Sequence, residues 1–156
     1  MSNTKRIDGR VNVNQIKEGG VMKALSKRAE AVFRAAMAEC SISGSCKLNL
    51  RPGTFMALCV ERIGQVNYSG AVYPMWSFAH YGEQNGDLMR DPDVVMMDSG
   101  AAGLYPMSFR NDYLGVDNES LVYEDGKASG CRLKMQGSIT SFCVTWAGNL
   151  KDQQGL

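Results

Sequence analysis

MKALSKRAEAVFRAAMAEC, residues 22–40, sets Leu25, Ala29, Val32, Phe33, Ala36, Met37 and Cys40 three or four positions apart, so a helix carries them as one apolar stripe. Lys23, Lys27, Arg28 and Arg34 fall mainly off that stripe and read as a solvated face, with Glu30 placed one turn before Arg34 to pair with it. The following SISGS ends the helix, because its hydroxyls compete for backbone groups and Gly44 admits a turn. Such a stripe must be covered by something, and the residues that follow supply it.

Beyond the stop the chain reads as strands and turns. KLNL at 47–50 alternates, Phe55–Val60 is an apolar run after Pro52-Gly53, and Tyr68–Phe78 supplies another strand or a bent pair around Gly70 and Pro74. Val94–Met97, Leu104–Phe109, Leu121–Tyr123, Arg132–Gln136 and Thr140–Trp146 are further strand candidates, with Asp125-Gly126 as a hairpin turn. One amphipathic helix followed by many strands predicts an α+β domain, with the N-terminal helix packed on a largely antiparallel or mixed β-sheet. Residues 19–150 form that single domain, 1–18 an N-terminal arm with an extended piece at Arg10–Ile16, and 151–156 a short polar tail that frays.

A chain of 156 residues with 44% apolar content is long enough for its own core and argues against whole-chain disorder. No apolar run is long enough to cross a membrane, and the opening MSNTKRIDGR lacks a signal peptide's apolar centre, so the expectation is a soluble, cytoplasmic protein without a membrane partner. The five cysteines read as buried thiols in a reducing compartment; Cys40 and Cys46 are spaced too widely for an ordinary zinc pair. Charge is asymmetric: residues 1–51 hold ten basic and four acidic residues, and 52–156 hold seven and twelve. That polarity suits orientation against a partner or a second copy, so a homodimer is one expectation.

HYGEQNGDLMRDPD, residues 80–93, brings the single histidine, His80, together with Glu83, Asp87, Asp91 and Asp93. Imidazole and carboxylates can exchange protons or hold a divalent ion, but the spacing matches neither a calcium loop nor an HExxH helix. The segment therefore reads as a structural turn with a solvated acidic face, with metal binding and recognition as the alternatives. Asp93, followed some thirty residues later by Asp125 and Lys127, has the order of a metal-dependent nuclease site, with Glu83 as a further carboxylate. No GxSxG, GxGxxG or Walker pattern occurs, so no familiar cofactor is expected. LYPMSFRNDYLGV, residues 104–116, sets Arg110, Asn111 and Asp112 between Phe109 and Tyr113, a compact hydrogen-bonding surface with an aromatic rim. With His80 and Glu83, residues 110–113 are the candidate interaction surface; the simpler reading makes them a local turn network.

CVERIG at 59–64, AHYGEQNGDLMRDPD at 79–93 and FRNDYLGV at 109–116 resemble an uncharacterised family encoded by bacterial plasmids, phages and related mobile elements. The chain departs from that pattern at Gly82, where the family carries a second tyrosine, and at Asp117-Asn118-Glu119, where it continues Tyr-Gln-Glu. The resemblance implies an accessory protein that binds and modulates or inhibits a bacterial host protein or complex, possible targets including a defence system. The alternative is a metal-dependent nuclease or nucleic-acid-binding module.

Overall fold

The structure, a computed structural model, describes residues 5–7, 10–12, 21–40, 43–51, 53 and 55–156. In chain order the elements are β1 Lys5–Ile7, β2 Arg10–Asn12, α1 Lys27–Glu39, β3 Ser45–Leu48, β4 Leu58–Tyr68, β5 Ala71–Gln84, β6 Asp87–Asp98, β7 Leu104–Asn111, β8 Val116–Glu119, β9 Leu121–Glu124, β10 Lys127–Cys131 and α2 Leu133–Gln154. The α+β expectation holds: α1 packs on a mixed, mostly antiparallel sheet of eight strands, and β1 and β2 pair as a separate hairpin. The extended piece expected at 10–16 is a strand over Arg10–Asn12; its remainder lies outside the described residues.

The helix starts at Lys27 rather than Met22, because the Ser26 hydroxyl accepts the Ala29 N–H at 3.3 Å and caps it. The stretch before it is held to the sheet instead, with Leu25 N–H donating to the Leu104 carbonyl at 2.9 Å. The expected Glu30–Arg34 pair forms at 3.1 Å, and Arg34 also reaches Asp98 at 2.9 Å. Phe33 meets Phe78 edge-on at 4.9 Å and lies beside Trp146, so the stripe finds its cover where strand and second helix meet.

The sheet runs β8-β7-β6-β5-β4-β10-β9, with β3 also on β4. Its ends, β8 and β9, are separated in the chain by Ser120 alone, so the sheet curls until its two ends are successive parts of one extended segment. Ser120 fastens the closure: its N–H and hydroxyl both donate to the Met107 carbonyl, at 2.9 and 2.6 Å, while its own carbonyl accepts the Arg132 N–H at 2.7 Å. Two cores follow. Phe78, Val94, Met96 and Val60 pack under the helices, and Met75, Val95, Met97, Tyr73 and Val66 form a second cluster on the inner, concave side. Adjacent residues of one strand enter different cores because side chains alternate across a pleated strand.

Several expectations are corrected. Arg132–Gln136 and Thr140–Trp146 are not strands, since 133–154 is one helix whose buried Leu133, Gln136, Ile139, Thr140, Cys143, Trp146, Ala147 and Leu150 recur at helical spacing. The tail at 151–156 is not loose either: residues 151–154 are the helix's last turn, buried Gln154 ties down the Leu50 N–H and Met56 carbonyl, and Gly155 closes the helix at φ 72°. Gln136 does the same near the other end, accepting from Lys23 N–H at 2.7 Å and donating to the Lys23 and Pro106 carbonyls. Each buried amide is tolerated because its hydrogen bonds are made. Cys40 and Cys46 are joined by a disulfide rather than free, whereas Cys59, Cys131 and Cys143 are thiols. No helix among the described residues is long and apolar enough to cross a membrane.

Candidate functional site

The segment 80–93 is a long hairpin, β5 turning into β6 at Asn85-Gly86, with Glu83 and Asp87 exposed on either side of the turn. Its second strand, β6, pairs with β7, which brings the two dense segments of the sequence against each other. Asp112 grips Arg90, accepting its N–H at 2.7 Å and its guanidinium at 2.9–3.2 Å, and returns its own N–H to the Arg90 carbonyl. That clamp holds the Asp112 carboxyl below the usual carboxylate range, chiefly through the side-chain bond from Arg90 and then the backbone bond. Asn111, itself buried, donates to Asp91 at 2.9 Å and accepts the Leu114 N–H at 3.1 Å. Tyr113 lays its hydroxyl over Gly82 and donates to the Glu83 carbonyl at 3.4 Å; a Cβ on Gly82 would stand 2.2 Å from that oxygen. Asn111, Asp112 and Tyr113 therefore lock a corner.

His80 belongs to the helix side. It is buried, donates from Nδ1 to the Ala57 carbonyl at 2.9 Å and meets Trp146 edge-on at 5.5 Å. Glu83 is exposed near the hairpin tip, so the two do not form one site. Asp93 accepts the Ser77 hydroxyl at 2.6 Å in the middle of the sheet, while Asp125 and Lys127 lie at the β9–β10 turn. Among the described residues no three of His, Cys, Asp and Glu converge as a metal-holding group.

Arg110 goes elsewhere. Across the sheet it pairs with Asp93 of β6 on one side and Asp117 of β8 on the other, and its side chain turns to the concave side. There its Nε meets Asp117 at 3.0 Å and its Nη1 donates to Ser108 at 3.4 Å. It lines a depression of about 250 Å³ with Ile63, Met75, Val95, Glu119 and Tyr123. Glu119 enters because β8 sets it directly opposite Ser108, and Tyr123 because the next strand belongs to the same closing segment. Burial pushes the Glu119 carboxyl up, against the pull of the Leu121 N–H, Arg110, the Ser120 N–H and Arg132. Burial also raises the Tyr123 phenol, with Glu119 adding to it.

A second, wider depression of about 620 Å³ runs between β3, β4 and the hairpin, lined by Lys47, Met56, Cys59, Glu61, Tyr81 and Leu88. Burial raises the Cys59 thiol there, which keeps it protonated and a poor nucleophile. Both depressions begin inside the segment that identifies the chain: residues 22–156 match the family described as Domain of unknown function (DUF6908). The chain belongs to the DUF6908 family. No curated protein and no solved structure matches it. The DUF6908 segment starts at Met22 and so takes in both helices, the closed sheet and every residue of the Arg110 depression, and leaves out the β1–β2 hairpin. Sequence reading singled out Arg110 but passed over Glu119, whose position depends on a strand pairing that the residues around it do not announce.

Proposed function

We propose that the protein is an accessory factor, carried by a mobile element, that binds a bacterial host protein or complex and modulates or inhibits it, with defence complexes among the targets. The setting rests on the three phrases resembling mobile-element proteins. The observation that carries the binding role is the Arg110 depression: half-exposed Ile63 and Tyr123 stand over an apolar floor of Met75 and Val95, with a guanidinium and a carboxyl between them. An apolar centre bordered by tyrosine and arginine is the composition of protein-binding patches, where such residues carry most of the affinity.

The test is recovery of partners from the native bacterial host by the tagged protein and by an Arg110→Ala variant, each after nuclease treatment and each shown to be folded by circular dichroism. The expected result is one stoichiometric host complex with the unaltered protein and a loss of about tenfold in the variant, the size of effect expected for a hot-spot arginine. Equal recovery by both proteins overturns the proposal. Recovery that disappears with nuclease points instead to a nucleic-acid module.

A further inference from the structure

We propose that the Arg110 depression receives one basic side chain, lysine or arginine, from the protein partner; this deepens the binding role above and rests on it. The volume of about 250 Å³ lies below the roughly 300–1,000 Å³ of small-molecule and cofactor sites and fits a single long side chain. Its floor is apolar and buried, with Val66, Met75 and Val95 below and Ile63 as a lip, a lining suited to the methylenes of a long amphipathic side chain.

The polar end selects the charge. Arg110 is already engaged, with Asp117 at 3.0 Å and Ser108 at 3.4 Å. Glu119 accepts main-chain N–H from Leu121 at 3.2 Å, and among the described residues no ion pair reaches it. With three carboxylates, Asp93, Asp117 and Glu119, against the guanidiniums of Arg110 and of Arg132, which also acts on Glu119, this part of the sheet carries −1 when all are ionised. An anionic ligand reaching for Arg110 meets Asp117 and Glu119 first. A cation meets a carboxylate that, among the described residues, no close ion pair holds, with the Tyr123 ring beside it to attract positive charge. Burial raises the half-buried Glu119 carboxyl, so a cation seated beside it favours the charged form and is itself held.

The probes are four blocked tripeptides, acetyl-Gly-X-Gly-amide with X arginine, lysine, norleucine or glutamate, titrated to millimolar concentration against the full chain at neutral pH and low salt. Backbone amide shifts of Leu121 and Tyr123 are followed by NMR. The arginine and lysine peptides are expected to shift these amides saturably, with norleucine about tenfold weaker and glutamate without effect. Glu119→Gln keeps an oxygen for the Leu121 N–H, and a spectrum overlaying the unaltered protein elsewhere shows that the fold is kept. It is expected to weaken the two cationic peptides about tenfold, to the norleucine level. Preference for glutamate, norleucine as tight as arginine, absence of any shift, or cationic binding unchanged in Glu119→Gln each overturns the inference. In the host recovery experiment, loss of the partner with both Arg110→Ala and Glu119→Gln supports it. Loss with Arg110→Ala alone keeps the partner-binding role and overturns the basic side chain.

Discussion

On the face of the sheet that the helices cover, Phe78, Val94 and Met96 are fully buried; on the other face Ser77, Asp93 and Ser108 stand one residue along the same or the neighbouring strands and carry polar groups. Strand β6 shows how the difference arises within a single element. At Val94-Val95-Met96-Met97 it is apolar on both faces, because the helices lie on one side and the closing strands on the other. At Arg90-Asp91-Pro92-Asp93, nearer the hairpin tip, it becomes polar, and the polar groups are used to fasten the corner and to bond Ser77 on the neighbouring strand. A continuous apolar run thus marks where a strand has cover on both sides, and its interruption marks where a face opens.

The largest test of that contrast removes one apolar side chain from each face. Phe78→Ala is expected to cost about 3–5 kcal/mol in denaturant unfolding, since Phe78 is fully buried against Phe33 and the helices close over it. Ile63→Ala, at 50% exposure on the open lip, is expected to change stability by no more than about 0.5 kcal/mol. Equal losses would show that the open face is covered in solution.

Next in size is a polar residue on the covered side. Gln136 is as buried as Phe78, and its amide satisfies the Lys23 N–H and the carbonyls of Lys23 and Pro106. Gln136→Ala strands those groups and is expected to cost about 2–3 kcal/mol. A neutral result in the same unfolding assay would mean that water replaces the amide and that this end of α2 is not sealed.

The corner between the faces should respond less, and with a pH signature. Asp112→Asn removes the charge that grips Arg90. Because the folded carboxyl is held low by Arg90, its stabilisation is fully present above the ordinary aspartate range and fades as pH falls through that range toward the lowered value. The variant should therefore be less stable than the unaltered protein at neutral pH and converge with it in acid. A gap that stays constant with pH would remove the ion pair from the account.

These contrasts also show what the residues disclosed in advance. The first helix was legible because its stripe lies in an alanine-rich stretch that favours helix independently of packing. The second was not: Ile139, Thr140, Val144 and Thr145 are β-branched, Gly137 and Gly148 weaken a helix, and two of its buried positions are glutamines. The buried spacing at 133, 136, 139, 143, 146 and 150 carried the signal, but only if Gln136 was counted as a core residue. Closure through Ser120 rests on hydrogen bonds to Met107 and Arg132, partners twelve or more residues away, and no local pattern states them. The same holds for the depression. Arg110 stood out beside its aromatic neighbours, whereas Glu119 acquires its place only when β8 pairs with β7.

Glu119 gives the smallest stability effect and the one of opposite sign. Its folded carboxyl is raised, chiefly by burial, so the folded protein holds that proton more tightly than the unfolded chain does. Stability therefore falls as pH climbs from the ordinary glutamate range through the raised value, and the cost is in place above it. Glu119→Gln removes the cost while keeping an acceptor for the Leu121 N–H. The variant should unfold at a slightly higher temperature than the unaltered protein at neutral pH, and the two should converge in acid. A variant less stable at neutral pH would make Glu119 a structural anchor of the closing strand. A more stable one leaves a carboxylate that opposes folding, which is the sign expected of a group kept for a ligand rather than for the fold.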